Sequence, residues 1–490
     1  MDSAMAESSF LVPRASGSLR ERMVREPAVR ETPVREAAAR EPALRDSVVH
    51  ELGRATATPA ASVVPASGVV PAGTATAAAT TVAATTAAAA LAGIVPAAAQ
   101  SSALILPAVM PPAGMAPAPM TSTLATALSD RVVFNDEKLA RKYASEPIPI
   151  STLYEAYFDG GIDIPGDLVA FLRSRNGFVK HTITRQHLQW AVTSFVPEMV
   201  AHSRDADARS AREIFDDRGD EFFRAFLGER MAFSCGHFEF PSDTLEAAVE
   251  QASSRICDKI GLRASHRVLE VGVGWGAFLS HVAASRGAEG VGATLSRTQE
   301  AHANRRFAEL GVEHQARAML ADYRDLPAEK FDRIVCIEAV ERVGVKNLKS
   351  FFEKLSEHVK DDGLLLLQWT GLRRQLRPED LMWGLFINKY ILPGADAALP
   401  LSSMLKVAEK AGWEVRAVEN VSPHYVQTLR LWRSNWEGRR ERITAQHGER
   451  WFRVWQFFLA WSQIVAEQGS AACFQVVLNR NLDALDRRGL

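Results

Sequence analysis

Three glycines spaced two apart, Gly272, Gly274 and Gly276, follow directly on the run Val268-Leu-Glu-Val271. A helix-compatible run, Ala277 to Ser285, stands behind them. The stretch reads as a strand, a glycine turn and a helix start. Glycine at such a turn lets the backbone swing tightly and come close to a ligand. The helix start adds free backbone N–H groups and a partial positive charge. A turn of this kind serves a dinucleotide, a nucleoside or no ligand at all. Its spacing is G-x-G-x-G and not G-x-G-x-x-G, which favours an adenosyl-methionine pocket over a dinucleotide pocket. An acid that binds ribose is expected about 20 residues on, at the end of the next strand. That strand, Gly290 to Leu295, leads into Thr294, Ser296 and Gln299 instead.

The elements that must position this turn alternate in the α/β manner over residues 243–370. A helix is predicted over Thr244 to Ile260 and strands over Arg267 to Val271 and Gly290 to Leu295. A helix over Arg297 to Leu310 and a strand over Ala316 to Leu320 come next, then Asp322-Tyr-Arg-Asp325. A strand over Phe331 to Ile337 and a helix over Lys346 to Val359 precede a nearly continuous apolar run, Gly363 to Trp369. Such a run suits a buried parallel strand. Gly274 and Asp322 then fall near the carboxyl ends of strands, where open α/β sheets bind ligands. Beyond residue 370 the pattern breaks. An insertion at about 371–470 holds a helix (Leu401 to Ala411), a strand (Trp413 to Val418) and a tryptophan-rich helical part. A last strand, Cys473 to Asn479, closes the sheet. Trp432, Trp436, Trp451, Trp455 and Trp461 are read as helix packing in preference to a lipid or aromatic pocket.

Residues 131–242 read as a helical cap, and 243–490 as the sheet domain with its insertion. Residues 1–130 differ from both. Arginine followed by an acid recurs every five residues from Arg20 to Arg45, a period that suits neither helix nor strand. From Ala55 to Ser129 there is no charged residue, and Ala, Thr, Pro, Val and Ser dominate. This segment reads as a disordered low-complexity tail. The chain of 490 residues has a net charge of −1, so no global field steers it to nucleic acid. Its 4 cysteines form no Cys-x-x-Cys, so neither a disulfide framework nor a zinc site is indicated. A reducing compartment is expected, with the protein cytoplasmic or peripheral to a membrane. Organelle targeting by the tail stays open.

With Glu270-Val-Gly-Val-Gly-Trp-Gly276 stand Thr294-Leu-Ser-Arg-Thr-Gln299, Asp322-Tyr-Arg-Asp325 and Glu338-Ala-Val-Glu341. Together they resemble the class I methyltransferases of the cyclopropane-fatty-acid-synthase superfamily. Longer strings, among them Phe222-Phe-Arg-Ala-Phe-Leu-Gly-Glu-Arg-Met231, Trp383-Gly-Leu-Phe-Ile-Asn-Lys-Tyr390 and Gly448-Glu-Arg-Trp-Phe-Arg-Val-Trp455, look like the fungal sphingolipid C9-methyltransferases. The likeness spans roughly residues 145–486. It implies a Rossmann-like class I methyltransferase sheet and S-adenosyl-L-methionine lying across Gly272, Gly274 and Gly276. It further implies Glu270 at the amino-acid part of that cofactor, Thr294 and Gln299 on the ribose side, Asp322 and Tyr323 at the adenine, and Phe233 and Ser234 closing over it.

The same resemblance implies a base site. In cyclopropane synthases a bound bicarbonate is held by a cysteine, a glutamate, a histidine and a tyrosine. Here Cys235, Glu341 and Tyr425 match three of those positions, and Gln368 stands where the histidine would be. Arg342 replaces a histidine of the family, Phe215-Asp216-Asp217 replaces its H-Y-D, and Val273 replaces a cysteine in what reads as a packing change. Two acceptor classes follow. An unsaturated lipid chain, sphingoid or fatty acyl, needs a base after methyl transfer. A small soluble amine or thioether needs no bicarbonate, and Arg342, with Gln368, would then contact the substrate, Arg342 by pairing with its carboxylate. A catalytically silent scaffold is the reading from another class, and the intact cofactor strings argue against it. The lipid acceptor, with peripheral membrane contact, is the expected one.

Overall fold

The computed structural model describes residues 131–190, 193, 203–396 and 399–480; the reading of residues 1–130 as a low-complexity tail lies outside them. Seven strands form the central sheet: β1 (Arg267–Val271), β2 (Glu289–Thr294), β3 (Ala316–Leu320), β4 (Phe331–Ile337), β5 (Val359–Leu372), β6 (Trp413–Asn420) and β7 (Ala471–Arg480). Their spatial order is β3-β2-β1-β4-β5-β7-β6. The first five are parallel, and β7 runs antiparallel to both β5 and β6. The order reverses between β1 and β4, and ligands of open α/β sheets bind in the crevice at that point. The glycine turn follows β1 and Glu338 follows β4, so both sit there.

The strands form where apolar runs meet turn residues. Leu365, Leu366, Leu367 and Trp369 of β5 are fully buried, as both faces of a central parallel strand require. The strand outruns the expected Gly363 to Trp369 at both ends, because Val359 pairs with Phe331 of β4 and β7 pairs with it as far as Leu372. Helix starts follow their caps. The Thr244 hydroxyl accepts from the Ala247 N–H at the head of Leu245–Lys259, and the Ser296 hydroxyl from the Gln299 N–H at the head of Arg297–Glu309.

The segment 371–470 is not one insertion in space. Helix Leu401–Lys410 and strand β6 belong to the sheet layer, where Met404, Ala408 and Trp413 pack with Phe351, Phe352 and Leu365. The covering parts are helix Pro378–Phe386 with the turn after it, and helices Ser422–Glu437, Arg440–His447 and Glu449–Glu467. The cap is helical, as expected, with helices Ile150–Phe158, Leu168–Arg173 and Asp220–Leu227 among its elements. It also holds two pairs of two-residue strands, Val133–Phe134 with Ile162–Asp163 and Ile148–Pro149 with Val179–Lys180.

Cap and covering helices share one core. Tyr154, Phe158, Phe222 and Phe226 are buried in the same cluster as Trp432, Trp436, Trp455 and Trp461; Trp436, Trp455 and Trp461 pack helices as expected, while Trp432 also lines a cavity. Trp275 of the glycine turn joins the cluster, and its indole N–H donates to Asp220 Oδ1 at 2.9 Å. The other Asp220 oxygen meets His302 Nδ1 at 2.8 Å. Cap residue Asp216 accepts from the Ser296 hydroxyl and the Thr298 N–H. Two carboxylates thus fasten the cap to the loops after β1 and β2. Among the described residues no helix is long and apolar enough to cross a membrane.

Gly292 in β2 lies under the glycine turn, and a Cβ there would stand 2.4 Å from Val273 Cγ2. Gly292→Ala is expected to destabilise the protein by about 1–3 kcal/mol through overpacking, read by denaturant unfolding. Adding Val273→Gly should restore part of the loss, because the Val273 Cβ, 2.5 Å away, and its Cγ2 both stand in the same space.

Candidate active site

Two cavities adjoin at the carboxyl ends of β1 and β4. The first has a volume of ≈ 200 Å³ and the second ≈ 160 Å³, far above the roughly 10–15 Å³ that holds one water. They share Phe215, Phe233, Glu338 and Arg342 as a common wall.

The first cavity brings together Phe233, Ser234, Glu270, Gly272, Gly274, Thr294, Gln299, Asp322 and Tyr323. Gly276 is not among its lining. It caps helix Ala277–Arg286 with a left-handed φ of 81°, and a Cβ there would press on Ala303 and Phe307 at 3.0 Å. Its role is packing against the next helix. Thr294 Oγ1 donates to Gln299 Oε1 at 2.8 Å, which orients the Gln299 amide. Asp322 is held by Arg324, whose Nε donates to Oδ1 at 2.7 Å, and these bonds work against burial to keep it below the usual carboxylate range. Tyr323 packs edge-on against Phe351, and burial pushes its phenol up to about 12.

The common wall is built around Glu338. Its Oε1 accepts from the Cys235 N–H at 2.9 Å, from Gln368 Nε2 at 2.7 Å and from the Cys473 thiol at 3.8 Å. Its Oε2 accepts from the Tyr425 hydroxyl at 2.7 Å. Burial pushes Glu338 above the usual carboxylate range, and these donors pull back against it. Burial, with the Glu338 charge beside it, also pushes Tyr425 well up, so the phenol keeps the proton that it donates. The Gln368 amide cannot turn over. Lys259 donates to Gln475 Oε1, so Gln475 Nε2 donates to Gln368 Oε1 at 2.7 Å, and Gln368 Nε2 is left for Glu338. An ammonium only donates, and that fixes the sense of the relay.

This arrangement corrects three expectations. The carboxylate among Cys235, Tyr425 and Gln368 is Glu338, not Glu341. Glu341 Oε1 accepts from the Thr370 N–H at 2.8 Å, and its Oε2 has no partner among the described residues and faces the second cavity. Cys235 contributes its amide, while its thiol points to the carbonyls of Gly236 and Val421. Gln368, expected at the substrate, is spent on Glu338 and Gln475. Arg342 lines both cavities: its Nη2 donates to Ser210 Oγ at 2.9 Å, and its buried Nη1 has no partner among the described residues. Glu338 was within reach of sequence reasoning, since it opens Glu338-Ala-Val-Glu341. Gln475, Cys473 and Lys259 carried no signal.

The comparisons with known proteins agree on one family. The family model described as mycolic acid cyclopropane synthetase matches residues 202–476. A sphingolipid C9-methyltransferase of Komagataella phaffii is 37% identical over 368 residues, covering 73% of this chain and 75% of that protein. A probable fatty acid methyltransferase of Pseudomonas putida is 30% identical over 66% of this chain and 80% of its own length. Among solved structures, the cyclopropane synthase MmaA2 from Mycobacterium tuberculosis has a TM-score of 0.53 at 28% identity, covering 56% of this chain and 98% of its own. The mycolic acid cyclopropane synthase CmaA1 complexed with SAH and CTAB has a TM-score of 0.53 at 26% identity, with the same coverage.

This chain belongs to the mycolic acid cyclopropane synthetase family. It is an S-adenosyl-L-methionine-dependent methyltransferase with the class I fold. The first cavity fits that cofactor. Glu270 is buried there with its Oε2 unpartnered among the described residues, and burial pushes it well above the usual carboxylate range. A cationic donor, such as the cofactor's ammonium, answers that orphaned oxygen.

Glu341 gives a prediction of its own. Burial and the neighbouring Glu338 charge push it up to about 8, from an ordinary 4.5. A carboxyl raised on folding stabilises fully below its unfolded value, and that contribution is lost as pH rises through the folded one. Unfolding free energy should therefore fall between about pH 4.5 and 8, by at most about 1.4 kcal/mol per pH unit from this group. Denaturant titrations across that range should find a flatter profile in Glu341→Gln.

Proposed function

We propose that this enzyme methylates a double-bond carbon of an unsaturated lipid chain, with an unsaturated sphingoid base the first candidate. One observation carries the reading: the second cavity adjoins the cofactor cavity and is walled mostly by apolar side chains. Leu372, Trp383, Ile387, Leu392, Leu429 and Phe458 line it, which suits a hydrocarbon chain. Of its polar groups, Glu338, Glu341 and Arg342 stand at or next to the shared wall, where Tyr425 donates to Glu338 and the Thr370 N–H to Glu341, and Asp396, Ser422 and Ser462 are the others. The names of the relatives, sphingolipid C9-methyltransferase and fatty acid methyltransferase, support the same acceptor class.

In this reading Glu270, Gly272, Gly274, Thr294, Gln299, Asp322, Tyr323 and Ser234 hold S-adenosyl-L-methionine, which supplies an electrophilic methyl group on a sulfonium. Phe215 and Phe233 close the wall around the reacting atoms and keep water out. Excluding water and holding reactants at near-attack distance is most of what such a transfer asks of a protein. Arg342 offers its free Nη1 to a polar group of the acceptor. Residues 131–242 act as a cap that closes the cofactor cavity through Phe215, Phe233 and Ser234, and contact with a membrane surface would deliver the chain. The unpartnered Arg342 donor also suits the carboxylate of a small soluble amine or thioether acid, and this second reading is tested alongside.

The test offers purified enzyme labelled adenosyl-methionine and two pools, unsaturated sphingolipids and phospholipids in micelles, and soluble amines and thioether acids. Label is expected in the lipid pool; label in the soluble pool alone would sink the lipid reading. Ala466→Phe, which places a ring in the second cavity, should raise the lipid KM at least tenfold while cofactor affinity by calorimetry stays unchanged.

A further inference from the structure

Bicarbonate, which the resemblance implies as the base of the alkene reaction, does not fit this site. The groups assigned to hold it, the Cys235 position, Tyr425 and Gln368, are all engaged by the Glu338 carboxylate. A second anion there would face the Glu338 carboxylate, with no donor left over from those groups. We propose that Glu338 is the built-in base of this enzyme and does the work that bicarbonate does in the cyclopropane synthases. The proposal rests on the lipid-alkene reading above.

Three independent features carry it. Glu338 lines both cavities, so its carboxylate borders the cofactor chamber and the acceptor chamber at once. Its Oε1 is met by two N–H donors that cannot reverse, the Cys235 backbone amide and the Gln368 amide fixed by the Lys259–Gln475 relay. A carboxyl met in this way keeps that oxygen as an acceptor, and charged it is stabilised by both donors. The third feature is the backbone. Glu338 has φ = 48°, in the left-handed region that favours glycine, and only Met231 shares that trait among the described non-glycine residues. Strain of this kind persists where the surrounding structure holds it, and it gathers at functional sites.

The step balances as follows. The alkene carbon's π electrons form a bond to the methyl carbon, and the electron pair of the broken carbon–sulfur bond stays on sulfur. The neighbouring carbon is left cationic. The methylated carbon loses a proton to a Glu338 oxygen, and the electrons of that carbon–hydrogen bond restore the double bond. The product is a methyl-branched alkene, and protonated Glu338 later returns its proton to solvent.

The backbone supplies the test variant. Glu338→Gly relieves the left-handed strain, so it is expected to fold, and it opens a space the size of a carboxylate. Wild type, Glu338→Gly and Glu338→Gln are assayed on unsaturated sphingolipid in carbon-dioxide-free buffer, with and without added sodium bicarbonate. Cofactor binding is followed by calorimetry as a check on the fold. Wild type should be indifferent to bicarbonate. Glu338→Gly should lose about 100-fold or more in kcat and regain activity with bicarbonate, while Glu338→Gln, whose amide fills the space, should stay low. The assignment is overturned if wild-type lipid turnover falls when bicarbonate is removed, if Glu338→Gly keeps the wild-type rate, or if bicarbonate restores nothing. These outcomes leave lipid methylation standing. Wild-type label found only in soluble amines or thioethers overturns the lipid reading instead.

Discussion

Four donors from four separate segments converge on the Glu338 carboxylate. They come from the Cys235 amide in the last loop of the cap, Gln368 on β5, Tyr425 on a covering helix and Cys473 on β7. A carboxylate this deeply buried is costly unless its lone pairs are met. The site therefore constrains the fold as much as the fold makes the site. The sheet, the cap junction and the covering helix must all arrive in register for the charge to be tolerated. The relay from Lys259 through Gln475 and Gln368 extends that demand to the surface, where Lys259 also pairs with Glu419. Glu338 sits on a left-handed residue immediately after β4, at the point where strand order reverses. Its side chain stands between the two cavities as a consequence of that turn.

The second constraint is the shared core of cap and covering helices. Trp275 of the glycine turn is buried with Phe215 and Phe223 of the cap, which are in turn near Trp455 of the covering part. The loop that frames the first cavity and the helices that wall the second thus rest on the same aromatic packing. Asp220 and Asp216 add polar fastenings at Trp275, His302 and Ser296. A shift of the cap would disturb both chambers together. That suits a transfer in which two reactants must be enclosed at one wall.

Much of the sheet was legible in the chain. The strands Arg267–Val271, Ala316–Leu320 and Phe331–Ile337 fall where apolar runs are bounded by Gly, Asp and Pro. The cofactor turn was legible because glycine spacing reports backbone geometry directly. Less legible was what tertiary structure decides. Gly276 looks like its two neighbours but faces a helix. Asp322 looks free but is claimed by Arg324 two residues on. Glu341 and Glu338 are three residues apart, and only the left-handed turn and the donors around it determine which carboxylate meets Tyr425. The strand in the middle of the insertion was seen, yet its place as the sheet's edge depends on pairing with a strand over fifty residues later.

Glu338 is proposed to stand ionised between the chambers, its donors holding the charge against burial. Infrared difference spectra of Glu341→Gln against the Glu338→Gln/Glu341→Gln double variant at pH 7, in which Glu341 cannot respond to the loss of the Glu338 charge, test it most directly. Loss of the paired stretching bands of an ionised carboxylate is the predicted result. Loss of the carbonyl band of a protonated carboxyl would contradict the account, because a neutral Glu338 can take no proton from the acceptor.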